Sequence, residues 1–324
     1  MTGRPTSPVS DSLAQVPSAR HSSNYAFAYG AFALLALIWG FSYLLIKVAD
    51  RDMNSNTVVL IRCATGTVTL LAIFGFRRKN IAPAGVRKRV PAFLLMALFS
   101  SVIPFVLISW GQIYVTTGLA SILNSTTPLF TAIFAYWVTP AERPSLVNYL
   151  GVVLGFVGTG ILLAPEIIGK PLRLSALAAL AILVGAAAYA VAALGQRRLL
   201  AGSDVQEASL WQLALATLIM IPIALPTIGQ FHFHPLTLGA VLLLGSLGSG
   251  FAYIIYYYLL NTLGGTRGAS VTLVIPLTAV LWGVLLLGES ITAPVLVGMA
   301  VILGGIVLTS RRRPAAQAAL AKSA

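Results

Sequence analysis

Arg62 is the one charged side chain that the sequence places well inside a long apolar run, about one and a half helical turns from its start. A guanidinium at that depth can anchor a carboxylate or a phosphate. It can also snorkel to the headgroups or pair with Asp50 or Asp52. Lys47, near the end of the preceding run, has the same two uses, an anion anchor or a snorkelling cation. Other apolar stretches carry isolated aromatic or amide groups: Trp39 and Tyr43, Trp110, Asn124, Tyr189, Tyr253 and Trp282. Aromatic faces with a few polar atoms suit a small amphipathic molecule, although each of these residues can equally serve packing. With Arg62 they form the candidate substrate-binding set. Pro128 and Pro276 interrupt two further runs, as static kinks or as hinges lining a cavity.

Other chemistries lack their residues. None of the eight acidic residues falls in the middle of an apolar run. Proton-driven pumps often carry a carboxylate there, so proton coupling is expected to be absent or weak. Glu142 and Glu289 each precede a run, where a carboxylate favours the N-terminus of the helix that follows. His232 and His234 have no third ligand nearby, which argues against a metal site. Cys63 is the single cysteine, so neither an intramolecular disulfide nor a cysteine cluster can form. No histidine or aspartate lies mid-span to build a hydrolytic centre. The expectation is a protein that is not an enzyme and needs no cofactor.

The elements that position these groups are membrane helices. The chain of 324 residues is 58% hydrophobic and 9% charged, with a mean hydropathy of +0.90; soluble domains carry about 25% charge. Apolar runs long enough to cross a bilayer fall near 25–48, 56–76, 91–116, 119–138, 145–164, 175–196, 207–228, 236–262, 267–288 and 292–310. They are continuous rather than alternating, which indicates helices and not barrel strands. The net charge of +13 could suggest nucleic acid, but its placement points to membrane orientation. If both termini are cytoplasmic, 16 of the 21 basic residues fall on that side. Residues 1–24 read as a polar, disordered tail and residues 311–324 as a basic one.

The chain also repeats itself. Residues 112–121 lead to Pro128, Glu142, Gly151 and Gly158; residues 261–270 lead to Pro276, Glu289, Gly298 and Gly305. Residues 25–164 and 175–310 therefore read as two units of five helices. An odd number of spans inserts the second unit upside down. The fold class is an all-α membrane protein of ten helices in two inverted repeats, an architecture that holds substrate between its halves. A central cavity lined by helices 1, 3, 4, 6, 8 and 9 is expected, with the fifth and tenth helices outside it as scaffold. Their glycines suit close helix packing.

The segment Ile38-Trp39-Gly40-Phe41-Ser42-Tyr43-Leu44-Leu45-Ile46-Lys47 resembles the first-helix signature of EamA-type members of the drug/metabolite transporter superfamily. Arg62, the stretch from Ser121 to Pro128, Glu142 and Gly151 follow in the order of that family, over about residues 30–310. The resemblance implies ten helices, inverted halves and export of small metabolites, often amino acids, across a bacterial inner membrane. The second copy keeps Gly185 but lacks the counterparts of Trp39 and Lys47, so any role they carry is asymmetric. The alternative function is multidrug efflux of lipophilic cations, weakened by the missing intramembrane carboxylate.

Overall fold

The computed structural model describes residues 19–78, 83–138, 146–167, 174–200, 204–230, 234–263 and 268–309. Ten helical segments follow one another: α1 (Ala19–Ala49), α2 (Ser55–Phe76), α3 (83–114), α4 (117–138), α5 (Leu146–Ile167), α6 (Leu174–Leu199), α7 (Val205–Ile228), α8 (235–263), α9 (Val271–Leu287) and α10 (Ala293–Thr309). α1 begins at Ala19, so the end of the expected N-terminal tail is helical. Residues 1–18 and the basic tail 311–324 lie outside the described residues, as do Glu142 and His232.

Local chemistry sets the helix ends. Asn54 caps α2 by accepting from the amide of Asn56, and Asp204 caps α7 by accepting from Gln206 and Glu207. His234 accepts from the amide of Leu236 through Nδ1 at 3.3 Å, which commits that nitrogen to capping α8. α9 stops at Gly288, whose φ of 66° is left-handed. Among the described residues, eight helices are long and apolar enough to cross a membrane by themselves. α9 and α10 have 17 residues each, the short end of the spanning range. The outer faces are aliphatic: Val68 is 65%, Leu225 66% and Leu285 63% exposed, as lipid contact requires.

The packing follows a two-fold rule. α1 packs on α9, and α6 on α4. α2 packs on α8, and α7 on α3. α1 meets α8, and α6 meets α3. The pairs α2 with α7, α4 with α9, and α5 with α10 map onto themselves. Exchanging each helix with the one five places later leaves the set unchanged, as inverted repeats demand. α5 and α10 are held outside the ring by glycine: a Cβ on Gly305 would stand 2.6 Å from the carbonyl oxygen of Gly151, and one on Gly158 2.8 Å from the amide of Ile302.

The regular helix is broken at corresponding places. α3 opens into a π-helical turn over Leu98–Val102 and α8 over Leu244–Phe251. Pro104 lies just beyond the first of these; its ring would crowd the carbonyl four residues back and it supplies no N–H, so the helix widens there. In α8 the wide turn holds Gly245, Gly248 and Gly250, and α2 and α1 press against it; a Cβ on Gly245 would stand 2.6 Å from the Arg62 carbonyl. Single-turn π segments recur at functional sites. α4 is split at Ser125–Thr126, just ahead of Pro128, into Thr117–Asn124 and Thr127–Val138. Pro276, its counterpart, sits in unbroken helix.

Candidate functional site

Arg62 is buried, with 9% of its surface exposed. It neither snorkels nor pairs with Asp50 or Asp52. Its Nε donates to Ser249 Oγ at 2.9 Å, within the π turn of α8. The guanidinium lies over the Phe105 ring of α3, 3.6 Å from the centroid. Among the described residues no carboxylate stands within ion-pair distance, so the terminal amino groups keep their donors. The charge is close enough to act on the hydroxyls of Tyr43, Tyr189 and Tyr253. A cation from one half is thus held by a serine and a ring on helices of both halves.

A second polar group forms at Tyr43. Asn124 Nδ2 donates to Tyr43 Oη at 2.8 Å, while Asn124 Oδ1 is buried and accepts nothing from the protein. The break in α4 directly after Asn124 leaves this amide at a helix end. Gln112 Nε2 donates to the Tyr43 backbone carbonyl at 2.8 Å, and its Oε1 is likewise unused. Arg62 thus offers free cationic donors, and the Tyr43–Asn124 pair offers a free amide acceptor.

The remaining sequence-selected residues divide. Trp39 donates its indole N–H to the Gly248 carbonyl at 3.2 Å and packs against Tyr253 and Tyr256. It joins the Tyr253 side of the site. Trp110 stacks edge-on with Tyr114 at 5.4 Å, toward the end of α3. Trp282 occupies the α1–α9 seam, its N–H on the Leu37 carbonyl at 3.3 Å and its ring on Phe41; the structure does not bring it to Arg62. Lys47 does not snorkel. Its Nζ donates to the carbonyls of Gln112 and, at 3.0 Å, Val115, and so closes the C-terminus of α3.

Glu289 departs from expectation. It does not cap α10. Its carboxylate accepts from the amides of Thr117 at 2.7 Å and Gly118 at 3.3 Å, the N-terminus of α4 in the other half. The left-handed turn at Gly288 aims it there, and the lack of a side chain at Gly283 leaves it room. Lys47, Arg51, Thr116 and Glu289 line a cavity of about 380 Å³ at this end of the bundle.

Two groups were hidden from the sequence. Asp50 follows α1 in the chain, yet its carboxyl turns inward. Oδ1 accepts from Ser109 Oγ at 2.7 Å and from Ser55 Oγ at 3.5 Å, and Oδ2 is buried without a partner. Burial pushes this carboxyl up to about 7, against the pull of the Ser109 bond and of Lys47. From the ordinary carboxylate range up to about 7 the folded protein holds a proton that the unfolded chain has released, so stability falls as pH rises through that window. The wild-type melting temperature should drop by roughly 5 °C between about pH 5 and pH 8. Asp50→Asn should flatten the profile, and a decline that persists undiminished in the variant assigns the titration elsewhere. The second hidden group is Gln212, buried in α7. Its Nε2 donates to Ser101 Oγ at 3.2 Å in the π turn of α3.

Ten apolar helices in two inverted halves, packed around a buried cation, make this a multi-pass membrane transporter. The chain belongs to the EamA-like transporter family, whose model matches residues 26–164 and again 176–311. The uncharacterized transporter YoaV of Bacillus subtilis is 22% identical over 279 residues, 85% of this chain and 94% of that protein. The uncharacterized inner membrane transporter YedA of Escherichia coli is 25% identical over 290 residues, 87% of this chain and 90% of its own length. A crystallised protein shares the fold at a TM-score of 0.62 and 17% identity, covering 89% of this chain and 96% of that one.

Proposed function

We propose that this transporter exports zwitterionic amino acids with apolar or aromatic side chains, by alternating access between its halves. The observation that carries the reading is the buried Arg62 guanidinium, with no carboxylate at ion-pair distance among the described residues and its terminal donors unused, in a protein that also buries the free amide oxygen of Asn124. The guanidinium receives the substrate carboxylate through its free donors. The ammonium donates to Asn124 Oδ1, and the faces of Tyr43, Tyr189, Tyr253 and Trp39 cover the side chain. Pro128, at the break in α4, is the proposed hinge; Pro276 is its partner in the second half. The charge bias of the sequence supports cytoplasmic termini and a place in the bacterial inner membrane. Export runs down the substrate gradient.

Purified protein in proteoliposomes, assayed with radiolabelled amino acids and with lipophilic cationic dyes, tests this. Phenylalanine, tyrosine or leucine should be carried and the dyes should not, because no buried anion stands beside Arg62 to receive a cation. Dye transport without amino-acid transport would replace this reading with multidrug efflux.

A further inference from the structure

The inverted repeat places a second polar group opposite Arg62. Arg62 is the eighth residue of α2, and Gln212 is the eighth residue of α7. Each reaches across to the other half and bonds a serine within a π-helical turn: Arg62 to Ser249 of α8, and Gln212 to Ser101 of α3. Both side chains are buried, at 9% and 8% exposure. The two contacts are one device used twice, once with a cation and once with a neutral amide. α2 and α7 run in from opposite ends of the bundle, so each group lies about 10 Å from its own end. The contacts of Thr57 with Thr227 and of Thr67 with Thr217 set the register of the two helices and put the backbones of Arg62 and Gln212 on either side of the midplane, about 15 Å apart along the helix axes.

We propose that Gln212 and Ser101 form the second pole of the substrate site, and that the difference between arginine and glutamine makes the site accept one anionic end and one neutral end. This rests on the amino-acid reading above and deepens it. A second cation at position 212 would favour a substrate with two carboxylates. Moving the cation from 62 to 212 would turn the substrate end for end without losing the preference for a carboxylate.

The probes are phenylalanine, phenylalaninamide and glutamate, used as substrates or competitors in proteoliposomes, with assembly of each variant checked by size-exclusion chromatography. The wild type should discriminate phenylalanine from its amide by at least about tenfold, the scale of one charge-assisted hydrogen bond. Arg62→Gln should erase that ratio, and the exchange R62Q/Q212R should restore it. Gln212→Arg alone should raise glutamate uptake relative to phenylalanine by at least about tenfold. If the arginine variants do not assemble, Gln212→Ala carries the test: its KM for phenylalanine should rise about tenfold with kcat less affected. Selectivity and KM unchanged by every assembled Gln212 variant, while Arg62 remains essential, would overturn this proposal alone. A wild type that carries none of the carboxylates would overturn both readings.

Discussion

Arg62→Ala should cut amino-acid transport by about a hundredfold or more, while the protein becomes more resistant to heat. The first effect follows from geometry. On the proposed reading the free guanidinium donors meet the substrate carboxylate in a water-poor interior, where losing a charge-assisted pair costs about 2–3 kcal/mol or more. The second follows from cost. A buried cation held by one serine and one ring is not compensated by a counter-ion, and replacing such a charge with an apolar side chain often stabilises the fold. Arg62→Met tests this best, because it fills the space. Its melting temperature should exceed that of the wild type while transport is lost. Arg62→Lys should rescue little, since a single ammonium cannot both bond Ser249 in the same way and present a planar pair of donors. Uptake by Arg62→Ala within about twofold of wild type, less than the loss of one neutral hydrogen bond, would return Arg62 to a structural role.

Glu289→Gln should lower the melting temperature by roughly 5 °C and reduce transport to a similar extent with or without an imposed pH gradient. The carboxylate accepts from two amides at the start of α4 and faces the positive end of that helix. Glutamine keeps one acceptor oxygen but turns an NH2 toward an N–H and removes the charge, a loss of about 1–3 kcal/mol. This contact joins α4 of one half to the turn after α9 of the other. Its loosening should also raise labelling of a cysteine introduced at Thr116, which lines the adjoining cavity. Strong accumulation driven by pH alone, abolished selectively by Glu289→Gln, would instead make this residue a proton carrier.

The membrane made much of the fold readable in one dimension. A hydrocarbon core fixes helix length and penalises every unpaired backbone group, so ten apolar runs could be drawn close to the observed helices, except that the first and third helices begin six and eight residues earlier, in polar sequence that hydropathy does not register. The doubled order of residues, with an odd number of spans per copy, determined the inverted architecture. Arg62 stood out because one charge in an apolar run is conspicuous, and Tyr43, Asn124, Tyr189 and Tyr253 because polar and aromatic groups are sparse around them. Gln212 gave no such signal, since a lone glutamine near the start of a helix reads as packing. Its correspondence with Arg62 shows only when α2 and α7 are aligned.

Which partner each polar group finds was decided by tertiary structure alone. Trp39 and Trp282 look alike in sequence, but one faces α8 beside Tyr253 and the other seals the α1–α9 seam. Glu289 precedes α10 yet caps α4, because a left-handed glycine aims it across the boundary between halves. Asp50 lies past the end of a helix, and its carboxyl is buried against Ser109. Hydropathy along a chain records how deep a residue can sit. The direction a side chain takes from a helix end depends on the neighbours that packing brings to it, and those come from distant parts of the sequence.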